Sequence, residues 1–182
     1  MSEPTVEDVL ELWFSERVKP LHWKKDPAFD AELRERFLPT YEAICAGARS
    51  AWQDTPEGVL ALIIVLDQFA RNMFRGQARA FAADGLARWH TARALRLGFD
   101  AFLEPPRRMF MLMPLMHSEE LRDQERAIDL FACADLSNNL RFAYLHKEVI
   151  TRFGRFPHRN AALGRVNTPD EEVYLKNPSA GF

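Results

Sequence analysis

Helix start signals recur along this chain and constrain its fold more than any other feature of the sequence. Asp26-Pro27, Thr55-Pro56-Glu57 and Thr168-Pro169-Asp170-Glu171 each place a capping side chain directly before a proline. Such a side chain accepts a hydrogen bond from the first backbone amides of a helix, and proline fits the first helical position. Gly98 and Gly154 supply stop signals after apolar stretches. The chain is therefore predicted to be a series of capped helices.

The spacing of apolar residues places the helices between these signals. Residues 59–66 are apolar on every side and follow the Thr55 signal, which favours a buried helix over a short buried strand. Thr5 precedes another amphipathic stretch, and Pro39 is expected to kink or restart the helix that begins at Asp26. Further helices are predicted over residues 78–97, from Pro105 with an interruption at Pro114, and over 119–134, 138–153 and a short terminal stretch after Thr168.

Seven or eight antiparallel helices with short connections predict an all-α fold, in a single domain that spans residues 1–182. The 182 residues are 47% apolar and 27% charged, which is typical of one globular domain that needs no metal or disulfide for stability. Trp13, Trp23, Trp52 and Trp89, with fourteen phenylalanines, are predicted to supply bulky burial.

Charge and cysteine content exclude several classes of partner. The formal net charge of -2 and the pI near 6.2 give no global reason to bind nucleic acid or an anionic membrane. The longest apolar runs are far shorter than the about 20 residues that span a bilayer. Cys45 and Cys133 form no CxxC pair and are expected to be core thiols, and no leader pattern precedes them, so a cytoplasmic location is predicted. No cofactor motif is recognised, and no cofactor is predicted. A metal site would need His117, His146, His158 and a carboxylate brought together by the fold, and none is predicted, because the sequence has no HExxH motif, no His/Cys pair at ligand spacing and no carboxylate-rich loop.

The basic segment of residues 149–169 is the least ordinary stretch of the sequence. It carries Arg152, Arg155, Arg159, Arg165 and His158 but no carboxylate. Guanidinium groups bind phosphate or carboxylate through paired hydrogen bonds, so the segment predicts an anion site. The alternative is that these arginines pair with carboxylates of neighbouring helices and hold the loop in place. A third interpretation is a solvated basic surface.

Two other polar groups interrupt apolar stretches. Asp67, Gln68, Arg71 and Asn72 follow the buried helix, and Asp67 to Arg71 is the favourable i, i+4 order for an ion pair. They predict either a polar helix end or the mouth of a cleft. In the second group, His117-Ser118-Glu119-Glu120, Ser118 is expected to cap a helix that begins at Glu119, whereas the His117 imidazole is a candidate general acid or base.

Several segments of the chain resemble a known family. They are LALIIVLDQFARNMFRG, AFAADGLA, PLMHSEELRDQE and RFGRFPHRNAALGRVNTPDEE, together with the opening VLELWF and KKDPAFDAELRERF. These segments are similar to the uncharacterised bacterial family known as domain of unknown function 924, over nearly the whole chain. The resemblance implies an all-helical, tetratricopeptide-like superhelical fold and brings no activity. This chain has Ala70 where the family usually has proline, and Asn167 where it usually has serine.

The resemblance also marks recurring polar motifs, which correspond here to the three polar groups of residues described above. We therefore predict one cleft that binds a small anionic, phosphate- or carboxylate-bearing ligand. Arg155 and Arg159 would hold the anion, and Arg152 and Arg71 would set the local potential. The remaining predicted roles are orientation of the ligand by Gln68, Asn72 and Asn160, and proton transfer by His117 or His158.

A different class of function is also compatible with the sequence. Tetratricopeptide-like folds hold extended peptides on concave helical faces and can grip a terminal carboxylate, so a peptide-interaction module without catalysis is the alternative. Binding of single-stranded RNA through the arginines, Phe153 and Phe156 is the least favoured interpretation, because the chain is acidic overall.

Overall fold

The structure is a computed structural model that describes residues 3–134 and 136–177. Those residues contain helices and turns and no strand, so the all-α prediction is confirmed. Eight helices follow one another: α1 (Val6–Trp13), α2 (Pro27–Cys45), α3 (Pro56–Ile63, continuing through Ile64–Phe69 to Ala70–Met73), α4 (Asp84–Arg96), α5 (Pro105–Met116), α6 (Leu121–Cys133), α7 (Ser137–Phe153) and α8 (Pro169–Leu175).

The predicted capping side chains begin four of these helices. Thr5, Asp26, Thr55 and Thr168 each accept hydrogen bonds from backbone amides in the first turn of α1, α2, α3 and α8. Each bond satisfies an amide that has no partner within its own helix. The start signals in the sequence therefore fix these four boundaries.

The chain divides into two compact units, and the single-domain organisation stays a prediction. The first unit comprises Met1–Arg75 and Arg79–Pro114, and the second comprises Gly76–Ala78 and Leu115–Phe182.

Helix α3 forms the centre of the first unit. Its residues from Gly58 to Ala70 are all buried, which confirms the buried helix and excludes the strand alternative. The ring centroid of Phe69 lies 5.6 Å from that of Trp13 and 4.9 Å from that of Phe37. The middle of the helix, Ile64–Phe69, is a π-helix, a form that is rare and often found at functional sites.

The second unit is built on α6 and α7, which pack against each other. Val149, Ile150 and Phe156 form a buried cluster there, and Phe153 and Tyr174 cover it. Phe156 belongs to the irregular segment after α7, so this segment is anchored to the core by an aromatic side chain that is fully buried.

Two helices differ from their predicted bounds in the first unit. Helix α4 begins at Asp84 instead of residue 78, because Ala78–Phe81 forms a separate 3-10 turn and the Asp84 carboxylate suits the positive end of the helix dipole. Helix α5 runs through Pro114 to Met116 without the predicted interruption. Pro114 lies in the last turn, where the surrounding side chains from Met111 to Met116 are buried.

Helix α6 of the second unit also begins later than predicted, at Leu121 instead of Glu119. The Glu119 carboxylate accepts a hydrogen bond from the Phe156 amide, which holds Glu119 outside the helix. Ser118 still serves the start of α6, since its hydroxyl accepts from the Glu120 amide at 3.1 Å and donates to Asp123 at 2.7 Å. In α2, the helix continues past Pro39 to Cys45.

The predicted burial of the cysteines and of two tryptophans is wrong. Cys45 and Cys133, the last residues of α2 and α6, are exposed. Trp23 and Trp89 are 64% and 51% exposed. In α4, the small or polar side chains of the neighbouring turns face the core, and Trp89 is left on the outer face.

No helix in the described part of the chain is long and apolar enough to cross a membrane.

Gly58 is required at its position by close packing and not by an unusual backbone angle. A Cβ atom at Gly58 would lie 2.1 Å from the Trp52 carbonyl oxygen and 2.9 Å from the Thr55 hydroxyl oxygen. We expect Gly58→Ala to destabilise the protein by about 1–3 kcal/mol, the usual cost of overpacking. Gly85→Ala is the matched control, since nothing lies within 4 Å of its Cβ position and it should be neutral or stabilising. Urea unfolding of both variants measures the difference, and equal stabilities would contradict the packing argument.

Candidate functional site

The segment after α7 carries three arginines of the predicted anion site and its surroundings: Arg155, Arg159 and Arg165. Gly154 ends α7 in the left-handed conformation, with φ at 68°, so the chain turns sharply there. Pro157–Arg159 then forms a 3-10 turn, and the segment leads to the Thr168 cap of α8. This local path brings residues 155–165 close to the start of α6 and the start of α8.

Arg155 pairs with a carboxylate from α8. Its Nε donates to Glu171 Oε1 at 2.6 Å and its Nη2 to Glu171 Oε2 at 2.7 Å. The Thr168 amide and the Asn160 side-chain amide also donate to Glu171, at 2.7 and 3.3 Å. The hydrogen bond from Arg155 is the largest of the effects that lower the pKa of Glu171 to about 2, against the opposing effect of burial.

Arg165 makes the second such pair, with Glu119. Its Nη1 and Nη2 donate to the two carboxylate oxygens at 2.8 and 3.0 Å, and its Nε donates to Asn160 Oδ1 at 2.9 Å. Burial alone would raise the pKa of Glu119, but the bonds from Arg165 and from the Phe156 amide hold it below its ordinary value. Arg155, Arg165 and Asn160 thus form the carboxylate pairing that was the alternative interpretation of this segment.

A different arrangement surrounds the Phe156 ring. The Cζ atom of Arg159 lies 4.5 Å from the ring centroid of Phe156, and the rings of His146 and His158 lie 5.6 and 5.5 Å from it. His117 lies 6.2 Å from His146, ring centroid to ring centroid, and its carbonyl accepts from Arg159 Nη2 at 2.9 Å. We call His117, His146, His158 and Arg159 the histidine cluster.

Burial makes the charged form of the histidine cluster costly. His146 and Arg159 are 7% and 6% exposed. The pKa of His146 is lowered to about 3, first by burial and then by the neighbouring His117, with smaller contributions from His158 and Arg159. His146 Nδ1 donates to the Phe142 carbonyl at 2.8 Å, so its neutral ring keeps Nε2 as an acceptor. The pKa of His146 therefore depends on the charge of the groups that surround its ring.

His117, His158 and Arg159 were predicted for an anion site, whereas His146 was considered only with His117 and His158 for a metal site that the sequence disfavours. His146 lies on the buried face of α7 together with Val149 and Ile150, and helical spacing alone makes it an ordinary core histidine. Arg152 was proposed as well. It is exposed, and its guanidinium lies over the Phe153 ring at 4.7 Å.

The predicted residues Gln68, Arg71 and Asn72 belong to the first unit. Arg71 pairs with Asp67 at 2.9 Å, which confirms the i, i+4 ion pair, and it also forms two bonds to Asp84 at 2.9 and 3.0 Å. Gln68 Nε2 donates to Asp67 Oδ2 at 2.5 Å. Of the three polar segments, two lie in the second unit and this one in the first, and a single cleft shared by all three stays a prediction.

Asn72 lines a groove of about 420 Å³ in the first unit. Its side-chain amide donates to the Gln68 carbonyl at 3.0 Å and accepts from Arg75 at 2.7 Å. Arg75 in turn makes two bonds of 2.8 Å to Asp30, and Arg34 donates to the Met73 carbonyl. The polar groups of this groove join α2 to the end of α3.

The Glu171 pairing predicts a distinct pH dependence. The folded pKa of Glu171, about 2, lies below its ordinary value of 4.5, so its contribution to stability is complete above about pH 5 and is lost as the pH falls toward 2. We expect Glu171→Gln to lower stability at pH 7 and to differ little from wild type near pH 2. Glu172→Gln, at an exposed position of the same helix, is the control. Denaturant unfolding across this pH range measures the effect, and parallel curves for all three proteins would contradict it.

Comparison with known proteins identifies the family but no activity. No curated protein matches the chain. A solved structure of a protein of unknown function from Agrobacterium tumefaciens is 37% identical, with a TM-score of 0.88, and the match covers 94% of this chain and 96% of that one. The family model described as bacterial protein of unknown function (DUF924) matches residues 9–179. This chain therefore belongs to the DUF924 family of bacterial proteins.

Proposed function

We propose that this protein binds a small anionic group, a phosphate or a carboxylate, at the histidine cluster of the second unit. The observation that carries the proposal is the position of two imidazoles, those of His146 and His158, and the buried Arg159 guanidinium around the ring of Phe156, with the His117 ring beside that of His146. Arginine and protonated histidine donate charge-assisted hydrogen bonds to oxyanions, and a neutral imidazole donates through one of its nitrogens. In this arrangement the donors are held by the fold before the ligand arrives, which reduces the entropic cost of binding.

The roles within the site differ from those expected from the sequence. Arg159 is the main residue that binds the anion, and His117 and His158 donate further hydrogen bonds to it. Arg155 and Arg165 hold the segment in position through Glu171 and Glu119. Because the proposal concerns the second unit, it includes neither Gln68 nor Arg71 nor Asn72. His117 and His158 remain the candidates for proton transfer if the bound group reacts.

An anion at this position changes the protonation of His146. Its low pKa reflects burial together with the nearby positive groups. A phosphate among those groups adds negative charge within reach of the ring, which favours the protonated imidazole. Binding and protonation are then coupled, so affinity for phosphate rises as the pH falls through the pKa of His146 in the complex.

Titration with inorganic phosphate at low salt, followed by the NMR signals of the histidine rings, tests the proposal. In the wild type we expect a saturable shift of the His146 signals and a raised pKa of that ring. Arg159→Gln should weaken phosphate binding by about tenfold or more, because a hydrogen bond to a charged group contributes about 1.5–3 kcal/mol. Acetate as a second probe separates a general carboxylate site from a phosphate site.

Arg152→Gln is the matched control, since it removes one exposed arginine from the same segment. It should change the affinity for phosphate by less than about twofold, as expected for a screened surface charge. Arg159→Lys covers the case in which Arg159→Gln does not fold, because lysine keeps the charge and loses the paired hydrogen bonds. Equal phosphate affinity in the wild type and a folded Arg159 variant would show that the histidine cluster is not the site.

The peptide-interaction module stays as the second candidate, with the groove beside Asn72 as its place in the first unit. A fluorescently labelled peptide library with free and amidated carboxyl ends distinguishes the two functions. Peptide binding that Asn72→Ala weakens and Arg159→Gln leaves unchanged would favour the module. Phosphate binding with no peptide bound at either carboxyl end would favour the anion site.

A further inference from the structure

A second and much smaller cavity lies in the first unit, beside the end of α2. Its volume is about 20 Å³, and its lining residues are Ile44, Gly47, Arg49, Ser50, Gln53, Leu62 and His90. A cavity needs about 10–15 Å³ to hold one water molecule. The space therefore fits a single species of about that size and excludes a metabolite.

Two buried polar atoms of its lining residues make no hydrogen bond to any part of the chain that the structure describes. They are His90 Nδ1 and Arg49 Nε. The side chain of His90 is 3% exposed, so bulk water does not satisfy it. A buried polar atom without a partner costs about 1–3 kcal/mol, and two such atoms at one small cavity favour a species that bonds to both.

The charged side chains around this cavity determine whether it favours a cation, an anion or a neutral molecule. Arg49 carries a positive charge, and Arg93 approaches from α4, where its guanidinium donates to the Gln53 carbonyl. Arg49 Nη2 forms an ion pair of 2.7 Å with Glu3, whose side chain is 79% exposed. Burial, and then the charge of Arg93, lowers the pKa of His90 to about 4, so the ring is neutral at pH 7.

Both of the unpartnered atoms, Arg49 Nε and His90 Nδ1, can donate a hydrogen bond. Arg49 Nε is an N–H donor of the guanidinium, and the neutral ring of His90 donates through Nδ1 in one of its two tautomers. The Ser50 hydroxyl belongs to the same lining. A cation would meet the positive charge of Arg49 and Arg93, whereas an anion is stabilised by both and accepts from each donor.

We infer that this cavity binds one monovalent anion of halide size, such as chloride, between Arg49 and His90. The bound ion ties the loop after α2 to the middle of α4, two elements that the bond from Arg93 to the Gln53 carbonyl also joins. The site is independent of the histidine cluster, which lies in the other unit. Its role is to stabilise the first unit in solutions that contain chloride.

Bromide tests the inference directly, because it replaces chloride and scatters X-rays anomalously. Crystals of the protein grown in sodium bromide should show an anomalous peak in the cavity, within hydrogen-bond distance of Arg49 Nε and His90 Nδ1. Density for a light atom without an anomalous peak means that the cavity holds water, and this result overturns the inference. An empty cavity overturns it as well.

Solution measurements with sodium chloride against sodium gluconate, at equal ionic strength, give a second readout. Chloride should raise the melting temperature and shift the NMR signals of His90 to saturation, while those of His22, which stacks on Trp13, stay unchanged. Arg49→Ala should lose the chloride response, and Arg49→Lys should weaken it at least tenfold. Arg96→Ala, which removes an exposed charge from the end of α4, should keep it. A chloride response that is equal in the wild type and the Arg49 variants would overturn the inference.

Discussion

Two carboxylates of the second unit, Glu119 and Glu171, determine the conformation of its longest irregular segment. A buried carboxylate is stable only when charged and hydrogen-bonded partners surround it. The side chain of Glu171 is 2% exposed and accepts from a guanidinium, a side-chain amide and a backbone amide. Glu119 accepts from Arg165 and from the Phe156 amide. Together with the buried Phe156 ring, these bonds hold the irregular segment of residues 154–167 against the starts of α6 and α8, and so position Arg159 near the histidines.

The fold follows from the sequence where the information is local. A capping side chain and the amides it binds lie within three residues of one another, so the starts of α1, α2, α3 and α8 are readable from four short patterns. The start of α6 is not local. It is displaced because Glu119 bonds to the amide of a residue 37 positions away. Pro114 shows the converse, since burial of its neighbours keeps α5 helical through a residue that usually ends a helix.

The same distinction applies to the candidate site. The Asp67–Arg71 pair lies on one turn of helix and is predictable, whereas the Asp84 partner of Arg71 comes from the next helix. The basic segment has four arginines and no carboxylate. Nothing in that pattern identifies Glu119 or Glu171 as the partners, because both lie outside residues 149–169. His146 was left out of the predicted anion site for the same reason. Its neighbours in the site belong to other segments, and its own helix places it among apolar residues.

The contacts of each guanidinium, more than its position in the sequence, distinguish the arginines that hold the fold from the one proposed to bind an anion. Arg155 and Arg165 use both ends of the guanidinium fork on one carboxylate, which is the strongest pairing that the group makes, and this use suits them to hold the fold. The Cζ atom of Arg159 instead lies 4.5 Å from the Phe156 ring centroid, and its Nη2 donates to the His117 carbonyl. An oxyanion that binds there leaves the Arg155–Glu171 and Arg165–Glu119 pairs in place, and these two pairs order the segment. The Arg155–Glu171 and Arg165–Glu119 pairs therefore support a binding role for Arg159. They keep the backbone of the segment in place when an anion changes the net charge around Arg159.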